Sequence, residues 1–421
     1  MEVKLTGSLN VEGKAEAPPS KSMMQRAVAA GLLAKGRSVI RKPSFCDDAI
    51  ASIGIAEALG AKIEVSRNEV VIEGGFSPRS DSVDCGESGL SMRMFTPLAA
   101  LHNSPITFRG KGSLLKRPVF MIREALEQLG AECADNGGYL PLTVRGPVKG
   151  GKIETDGSVS SQTLTGLLTA LPVAEKDSII TVRNLKSSAY ADMTIQLLSL
   201  FGIEIQQEGN EIFMLRGSQV YRPANYTVEG DWSGASFLLV AGAVGGYAEV
   251  ENLDTESFQP DKKILEALER TGARIDFSGS TVAVQKSGLR PFTFDATGCP
   301  DLFPPLVSLA AACSGKSVIR GVQRLKYKES SRGEVLREEF GKLGINIVLN
   351  GDEMAVEGGR IKGGKVFSHN DHRIAMAAAV AAIVSEGPVI IDGANAVEKS
   401  YPGFFNDFGT ITGIKDIKSK L

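Results

Sequence analysis

The chain has 421 residues, 43% hydrophobic and 23% charged, with a formal net charge of -2, an ordinary composition for a globular protein of two or more domains. Near-neutral charge without a basic run argues against a nucleic-acid partner. The longest apolar run, Ile374 to Val384, is far shorter than the roughly 20 residues a membrane span needs.

From the N-terminus, Met1 to Leu5 reads as a short strand with an acid in it, not as a charged-then-apolar leader. The chain is expected to be soluble and cytoplasmic, without a membrane partner. Pro18-Pro19 then stops the incoming segment, and Ser20 and Ser22 offer oxygens to a first helical turn. Lys21 and Arg26 set two cations beside that helix N-terminus, where the backbone dipole is already positive. Such a placement is unfavourable unless an anion comes to it. The segment that follows, Ala27 to Ala34, is small and apolar on nearly every side, which predicts a buried helix.

The same polar start with an apolar helix recurs at Ser88, Ser160, Asp231, Asp301 and Asp371, in steps of 68, 72, 71, 70 and 70 residues counted from Ser20. A second marker keeps the beat: an amphipathic helix ends at a glycine and leads into a strand, at Gly60, Gly130, Gly202, Gly272 and Gly344, with Phe408-Gly409 as a weaker sixth copy. Alternating segments such as Glu69 to Glu73 and Ser317 to Arg320 read as strands between the markers. Each unit therefore predicts two helices and about four short strands. A period near 70 is long for a solenoid repeat, so six α/β units grouped three to a domain are expected. If the six buried helices direct their N-termini to one place, a small and highly anionic ligand is expected there.

Several constellations carry both a chemical and a plainer reading. Lys116-Arg117-Pro118 follows Gly110-Lys111-Gly112 and is either a surface loop or a basic ligand loop. Ser160-Ser161-Gln162 is a helix cap or a set of donors for a phosphate or polyol, and Ser187, Tyr190 and Asp192 are ambiguous in the same way. Asp301, followed by Pro304 and Pro305, suits an ordinary helix start. Lys328-Glu329-Ser330-Ser331-Arg332 is a solvated face, or a general acid between two anion ligands. Asp371-His372-Arg373 opens an alanine-rich helix with an arginine suited to a carboxylate or phosphate, and Lys399 lies in a loop near the C-terminus. Gly315-Lys316-Ser317 imitates the end of a P-loop, but Ala310 stands where the first glycine belongs. Cys46, Cys85, Cys133, Cys299 and Cys313 are scattered, and with only His102, His369 and His372 available neither a disulfide framework nor a metal site is expected.

In combination the motifs resemble those of the enolpyruvyl transferases, and within them the branch that uses shikimate 3-phosphate. The carrying residues are Pro-x-Ser-Lys-Ser-x-x-x-Arg at 18 to 26, Gly-x-x-Gly-x-x-x-Arg at 86 to 93, Lys-Arg-Pro at 116 to 118, Ser-Ser-Gln at 160 to 162, Lys-Glu-x-x-Arg at 328 to 332, Asp-His-Arg at 371 to 373, and Lys399. The resemblance implies a two-domain inside-out α/β barrel of six βαβαββ repeats. One domain would span 19–228 and the other 1–18 with 229–421, the two crossings forming a hinge that closes on substrate. It implies transfer of the enolpyruvyl group of phosphoenolpyruvate to the 5-hydroxyl of shikimate 3-phosphate through a tetrahedral intermediate, with no cofactor or metal and a monomeric enzyme.

On the same resemblance Lys21, Ser22, Arg26, Ser160, Ser161, Gln162, Ser187, Asp301 and Lys328 hold shikimate 3-phosphate. Lys21, Gly89, Arg117, Gln162, Arg332, Arg373 and Lys399 hold phosphoenolpyruvate. Asp301 is expected as base and Glu329 as acid in the addition step, with Lys21 or Lys328 sharing proton transfer. The chain departs from the family at Glu87, where Asn is common, at Met94, where Pro often follows the arginine, at Arg324, where some members have Asn, and at Ser331, where Asp is common. Of these, the charge of Glu87 beside an anion site bears on phosphoenolpyruvate affinity. The sister branch that uses UDP-N-acetylglucosamine usually has Lys-Asn in place of Lys21-Ser22 and a cysteine in the loop corresponding to Gly110 to Lys116, which here has none.

Overall fold

Six helices of small apolar residues form the interior, and a four-stranded sheet accompanies each. The computed structural model describes residues 1–158, 160–414 and 419–420. It divides into two compact units, Pro19–Val228 and Met1–Pro18 with Glu229–Leu421. The first unit holds α1 (Lys21–Leu33), α2 (Gly89–Ala99) and α3 (Gln162–Ala170). The second holds α4 (Trp232–Gly245), α5 (Phe303–Ala312) and α6 (His372–Ala382). Nearly every residue of these helices is buried, as sequences apolar on all faces require. Small side chains permit close approach: a Cβ on Gly166 of α3 would stand 2.4 Å from the Arg93 carbonyl oxygen of α2. In the second unit the Ser308 hydroxyl of α5 donates to the Ala377 carbonyl of α6 at 2.9 Å.

Each sheet follows one plan. In the repeat of α3, Lys152–Asp156 pairs in parallel with Ser178–Arg183, which pairs antiparallel with Ile212–Leu215, itself antiparallel to Ile205–Glu208. This is a βαβ crossover through the buried helix, then an amphipathic helix (Ala189–Leu200) and a hairpin. Three of the sheets join distant parts of the chain. Asn225–Thr227 lies parallel to Gly36–Arg41 and so completes the repeat of α1, whereas Val11–Glu16 lies parallel to Gly246–Glu251 and completes that of α4. Glu2–Leu5 lies antiparallel to Val389–Asp392 and to Ser419–Lys420 in the repeat of α6. All six sheets show the same order, giving three βαβαββ repeats in each unit.

Two local expectations change. The sixth glycine stop is Gly413, at φ 71° after the helix Phe404–Thr412, and Gly409 is an interior residue of that helix. The step from Gly344 is then 413 − 344 = 69, close to the others. Phe408 and Ile411 are buried on the face of that helix turned to the core, so the segment continues one more turn than the glycine at 409 suggested. Ser20 precedes α1 without a side-chain cap, its hydroxyl buried and unpartnered, whereas Asp231 and Asp371 do cap α4 and α6. Among the described residues no helix is long and apolar enough to cross a membrane. All five cysteines are free thiols, and burial pushes Cys46 and Cys313 up to about 11.

Candidate active site

In the first unit the N-terminal ends of α1, α2 and α3 bring cations to polar groups. Lys21 Nζ lies 2.9 Å from Asp48 Oδ2 at the start of the helix Asp47–Ala58. Arg26, one turn into α1 and buried, donates to the Ser22 carbonyl (2.9 Å), to Thr194 Oγ1 (2.9 Å) and, at 3.4 Å, to Thr165 Oγ1 and the Tyr190 carbonyl. These partners are all neutral, and burial pulls the guanidinium down to about 10. An anion arriving beside Arg26 would reverse that shift.

Arg93 reaches Gln162 Oε1 at 3.0 Å, the Pro118 carbonyl at 3.2 Å and the Gly89 carbonyl at 3.4 Å. Gly89 is the first residue of α2, and a Cβ there would lie 2.5 Å from Arg117 Nη1 and 2.9 Å from Arg93 Nη1. Only glycine lets two guanidinium groups stand this close to the helix start. Arg117 is buried at the end of the 3-10 turn Gly112–Lys116, while Lys116 is exposed, so this stretch is not simply a surface loop. Glu87 accepts from the Ser113 amide and hydroxyl, both at 2.9 Å, and thereby fastens the turn that leads to Arg117. Ser160 Oγ accepts from the Gln162 amide at 3.2 Å, Ser161 is buried at the start of α3, and Ser187 is buried just ahead of Ala189–Leu200.

The second unit gathers its charged groups into one network. Asp301 Oδ1 lies 2.9 Å from Arg332 Nη1 and 3.1 Å from Lys328 Nζ, and its Oδ2 lies 3.2 Å from Arg373 Nη2. Arg332 opens the helix Arg332–Lys342 and is wholly buried. Its Nε donates to Asp371 Oδ2 at 2.9 Å, and its Nη2 donates to Asp371 Oδ1 at 3.2 Å and to Glu329. Asp301 and Glu329 thus occupy the two amino groups of a single guanidinium. Arg373 donates to Ser233 Oγ at 2.8 Å at the start of α4, and Lys399 Nζ donates to the Asn370 carbonyl at 2.7 Å. Asp301, Lys328, Glu329, Arg332 and Arg373 are therefore joined directly, with Lys399 attached through the residue before Asp371.

Burial works to raise the Asp301 carboxyl, but Arg373, Lys328 and Arg332 outweigh it and hold the group well below the usual carboxylate range. Lys328 is lowered by burial, against the opposing pull of Asp301. Asp261, buried and with an unpartnered Oδ1, is pushed up to about 7, first by burial and then by the charge of Asp301. Asp48, Asp371, Ser233 and Asp261 had no place in the sequence-based site. Asp371 alone had a signal, as the first residue of the Asp-His-Arg run. A cavity of about 430 Å³ in the first unit, lined by Leu33, Phe76, Leu101 and Val173 at the opposite ends of α1, α2 and α3, contains none of these groups.

A fold of this kind, two units of three βαβαββ repeats with buried helices, is that of the enolpyruvyl transferases. NikO from Streptomyces tendae, described as an enolpyruvyl transferase, superposes with a TM-score of 0.79 at 16% identity over 97% of each chain, which speaks for the fold alone. The chain belongs to the EPSP synthase (3-phosphoshikimate 1-carboxyvinyltransferase) family, whose model matches residues 5–408. The 3-phosphoshikimate 1-carboxyvinyltransferases of Aeropyrum pernix and Clostridium perfringens are 40% identical over 402 residues and 37% identical over 410 residues. They align over 95% and 96% of this chain, and over 93% and 97% of their own lengths. The EPSP synthase of Acinetobacter baumannii has a TM-score of 0.81 at 27% identity, over 98% of both chains.

Proposed function

We propose that this chain transfers the enolpyruvyl group of phosphoenolpyruvate to the 5-hydroxyl of shikimate 3-phosphate, releasing phosphate. Its near-neutral charge fits two small-molecule substrates without a nucleic-acid partner. The observation that carries the reading is the gathering of Lys328, Arg332 and Arg373 around Asp301, with Glu329 on the same guanidinium. Two anionic substrates repel one another, and dense fixed cations in a water-poor site are what holds them at attack distance. Lys21, Ser22, Arg26, Ser160, Ser161, Gln162, Ser187, Asp301 and Lys328 take shikimate 3-phosphate. Lys21, Gly89, Arg117, Gln162, Arg332, Arg373 and Lys399 take phosphoenolpyruvate.

In the addition step Glu329 protonates the methylene carbon of phosphoenolpyruvate, the 5-oxygen of shikimate 3-phosphate bonds to the adjacent carbon, and Asp301 accepts the hydroxyl proton. In the elimination step the roles exchange: Glu329 takes a proton from the new methyl group, the double bond reforms, the carbon–phosphate oxygen bond breaks, and Asp301 gives its proton to the leaving phosphate, which returns both acids to their starting states. Lys328, lowered by burial, is a better proton donor than an ordinary lysine and can share these transfers. Phosphate release from phosphoenolpyruvate tests the reading: it is expected with shikimate 3-phosphate and not with UDP-N-acetylglucosamine, and no release with shikimate 3-phosphate would refute it.

Gly89→Ala is expected to raise the KM for phosphoenolpyruvate about tenfold or more while leaving thermal stability nearly unchanged. The added methyl group meets only the far ends of two flexible side chains, Arg117 and Arg93, so the fold accommodates it by moving the guanidinium groups. Displacing binding groups by about 1 Å is enough to lower a rate by up to about 10². Steady-state kinetics with each substrate varied in turn, alongside a melting curve, checks both halves of the prediction.

A further inference from the structure

Two neighbours of the second unit's charge network have no role in the chemistry above, yet they are built with unusual care. Glu339 lies on the helix Arg332–Lys342, two turns beyond Arg332, and is 1% exposed. Its carboxylate accepts from the Phe367 amide at 2.9 Å, from His369 Nε2 at 2.7 Å and from Lys342 Nζ at 2.7 Å. Phe367 ends the strand Gly364–Phe367, and the next turn carries two consecutive non-glycine residues in the left-handed region, His369 at φ 52° and Asn370 at φ 57°. Backbone of this kind persists only where its surroundings over-determine it. The His369 ring also packs on Phe367, with centroids 4.8 Å apart, and Ser368 Oγ donates to the Gly393 carbonyl at 2.8 Å.

The turn so fixed leads to two cations and to the acid that binds a third. The Asn370 carbonyl accepts from Lys399 Nζ at 2.7 Å. Asp371, wholly buried, accepts from Arg332 Nε at 2.9 Å and from the Arg373 amide at 3.0 Å, which places Arg373 at the start of α6. Arg373 and Lys399 thus share one reference point, the contact between Glu339 and His369, while Arg332 is held by its own helix. Glu338, Glu339 and His369 also bring possible metal-ligand atoms within 4.8 Å of one another. Lys342 Nζ, 2.7 Å from Glu339 and 3.1 Å from Glu338, already supplies the cation there.

We infer that Glu339 and His369 are positioning residues for phosphoenolpyruvate: their hydrogen bond locks the left-handed turn at 369 and 370 and through it aims Arg373 and Lys399. The inference rests on the proposed function, since it assigns those cations to that substrate. A buried carboxylate is unfavourable unless well bonded, and outer groups that hold binding side chains act on affinity by fixing geometry.

The test is steady-state kinetics of Glu339→Gln, His369→Ala and His369→Gln, with each substrate varied at saturation of the other. Glu339→Gln keeps an acceptor for the Phe367 amide, and His369→Gln keeps a side-chain donor to Glu339. Expected for Glu339→Gln and His369→Ala is a rise of about tenfold in the KM for phosphoenolpyruvate, with the KM for shikimate 3-phosphate and kcat within about twofold, and His369→Gln returning most of the loss. Equal changes in both KM values, a fall in kcat alone, or a His369→Ala enzyme like the parent would overturn the inference. Should Glu339→Gln not fold, the two variants of the partly buried His369 carry the test. Absence of phosphate release by the unaltered enzyme would instead count against the proposed function.

Discussion

Asp301→Asn is expected to lower kcat by about 10²-fold to 10⁴-fold while both substrates still bind. The substitution is nearly isosteric and keeps one oxygen, for Arg332 and Lys328, while an amide nitrogen replaces the oxygen facing Arg373, and what disappears is the ability to take a proton. A kcat within tenfold of the unaltered enzyme would remove Asp301 as the base. The geometry holds a tension that sharpens the prediction. Three cations within 3.2 Å keep Asp301 strongly acidic, and a carboxylate far below the working pH is a poor base. Anionic substrates relieve it. When a phosphate or carboxylate shares Lys328, Arg332 and Arg373, less positive charge acts on Asp301, and its proton affinity rises in the complex.

That sequence of events has a sign that can be measured. Cations favour the ionised carboxylate and lower its pKa, and added negative charge raises it. The acid limb of kcat, which reports the substrate complex, should therefore lie at higher pH than the acid limb of kcat/KM, which reports the free enzyme. Stability behaves in the opposite range. A carboxyl held below its unfolded value of about 3.9 contributes stability that is complete above that pH and is lost as pH falls through the depressed value. Acid unfolding of the second unit should accordingly set in only below the ordinary carboxylate range. A kcat limb at or below that of kcat/KM would contradict the substrate-relief argument.

The repeat was legible in the sequence because it is written in short-range chemistry: a polar helix start, an apolar helix and a glycine stop every 70 or so residues. The sixth stop misled because Gly409 has the right residue type while the core-facing Phe408 and Ile411 carry the helix on to Gly413. Strand exchange between distant segments, such as Val11 with Gly246 or Asn225 with Val39, leaves no local trace.

The charged groups divide in the same way. Cations at helix starts stood out, since a lysine or arginine there opposes the dipole. Their partners mostly did not: Asp48 and Glu339 are ordinary acids in ordinary helices until the fold sets them against Lys21 and His369, and Asp371, though visible as a helix start, gave no sign that it would meet Arg332. Arg93 and Gln162 are one repeat apart, 162 − 93 = 69, and their 3.0 Å contact joins neighbouring helix starts in equivalent units. That contact could have been anticipated from the period. The 39-residue span between Arg332 and Asp371 could not.

Arg332→Met is expected to have the largest effect on stability, about 3–5 kcal/mol, the usual loss when one partner of a buried ion pair is removed. Arg332 is 0% exposed and binds Asp371, also 0% exposed, through two nitrogens, besides Asp301 and Glu329. Burial alone would lower the guanidinium, yet the three carboxylates raise it above an ordinary arginine, so attraction within the network exceeds the desolvation of this group. Without it, three acids face one another with Lys328 and Arg373 as the remaining cations, and Asp371 loses its strongest donor while still capping α6. Adding Asp371→Asn removes the stranded charge and keeps an oxygen for the Arg373 amide. The double variant should therefore recover part of the loss, with a coupling of about 1–3 kcal/mol. Urea unfolding of the single and double variants measures both quantities: a single-variant loss below about 1 kcal/mol, or strict additivity, would show that the buried network does not hold this unit together.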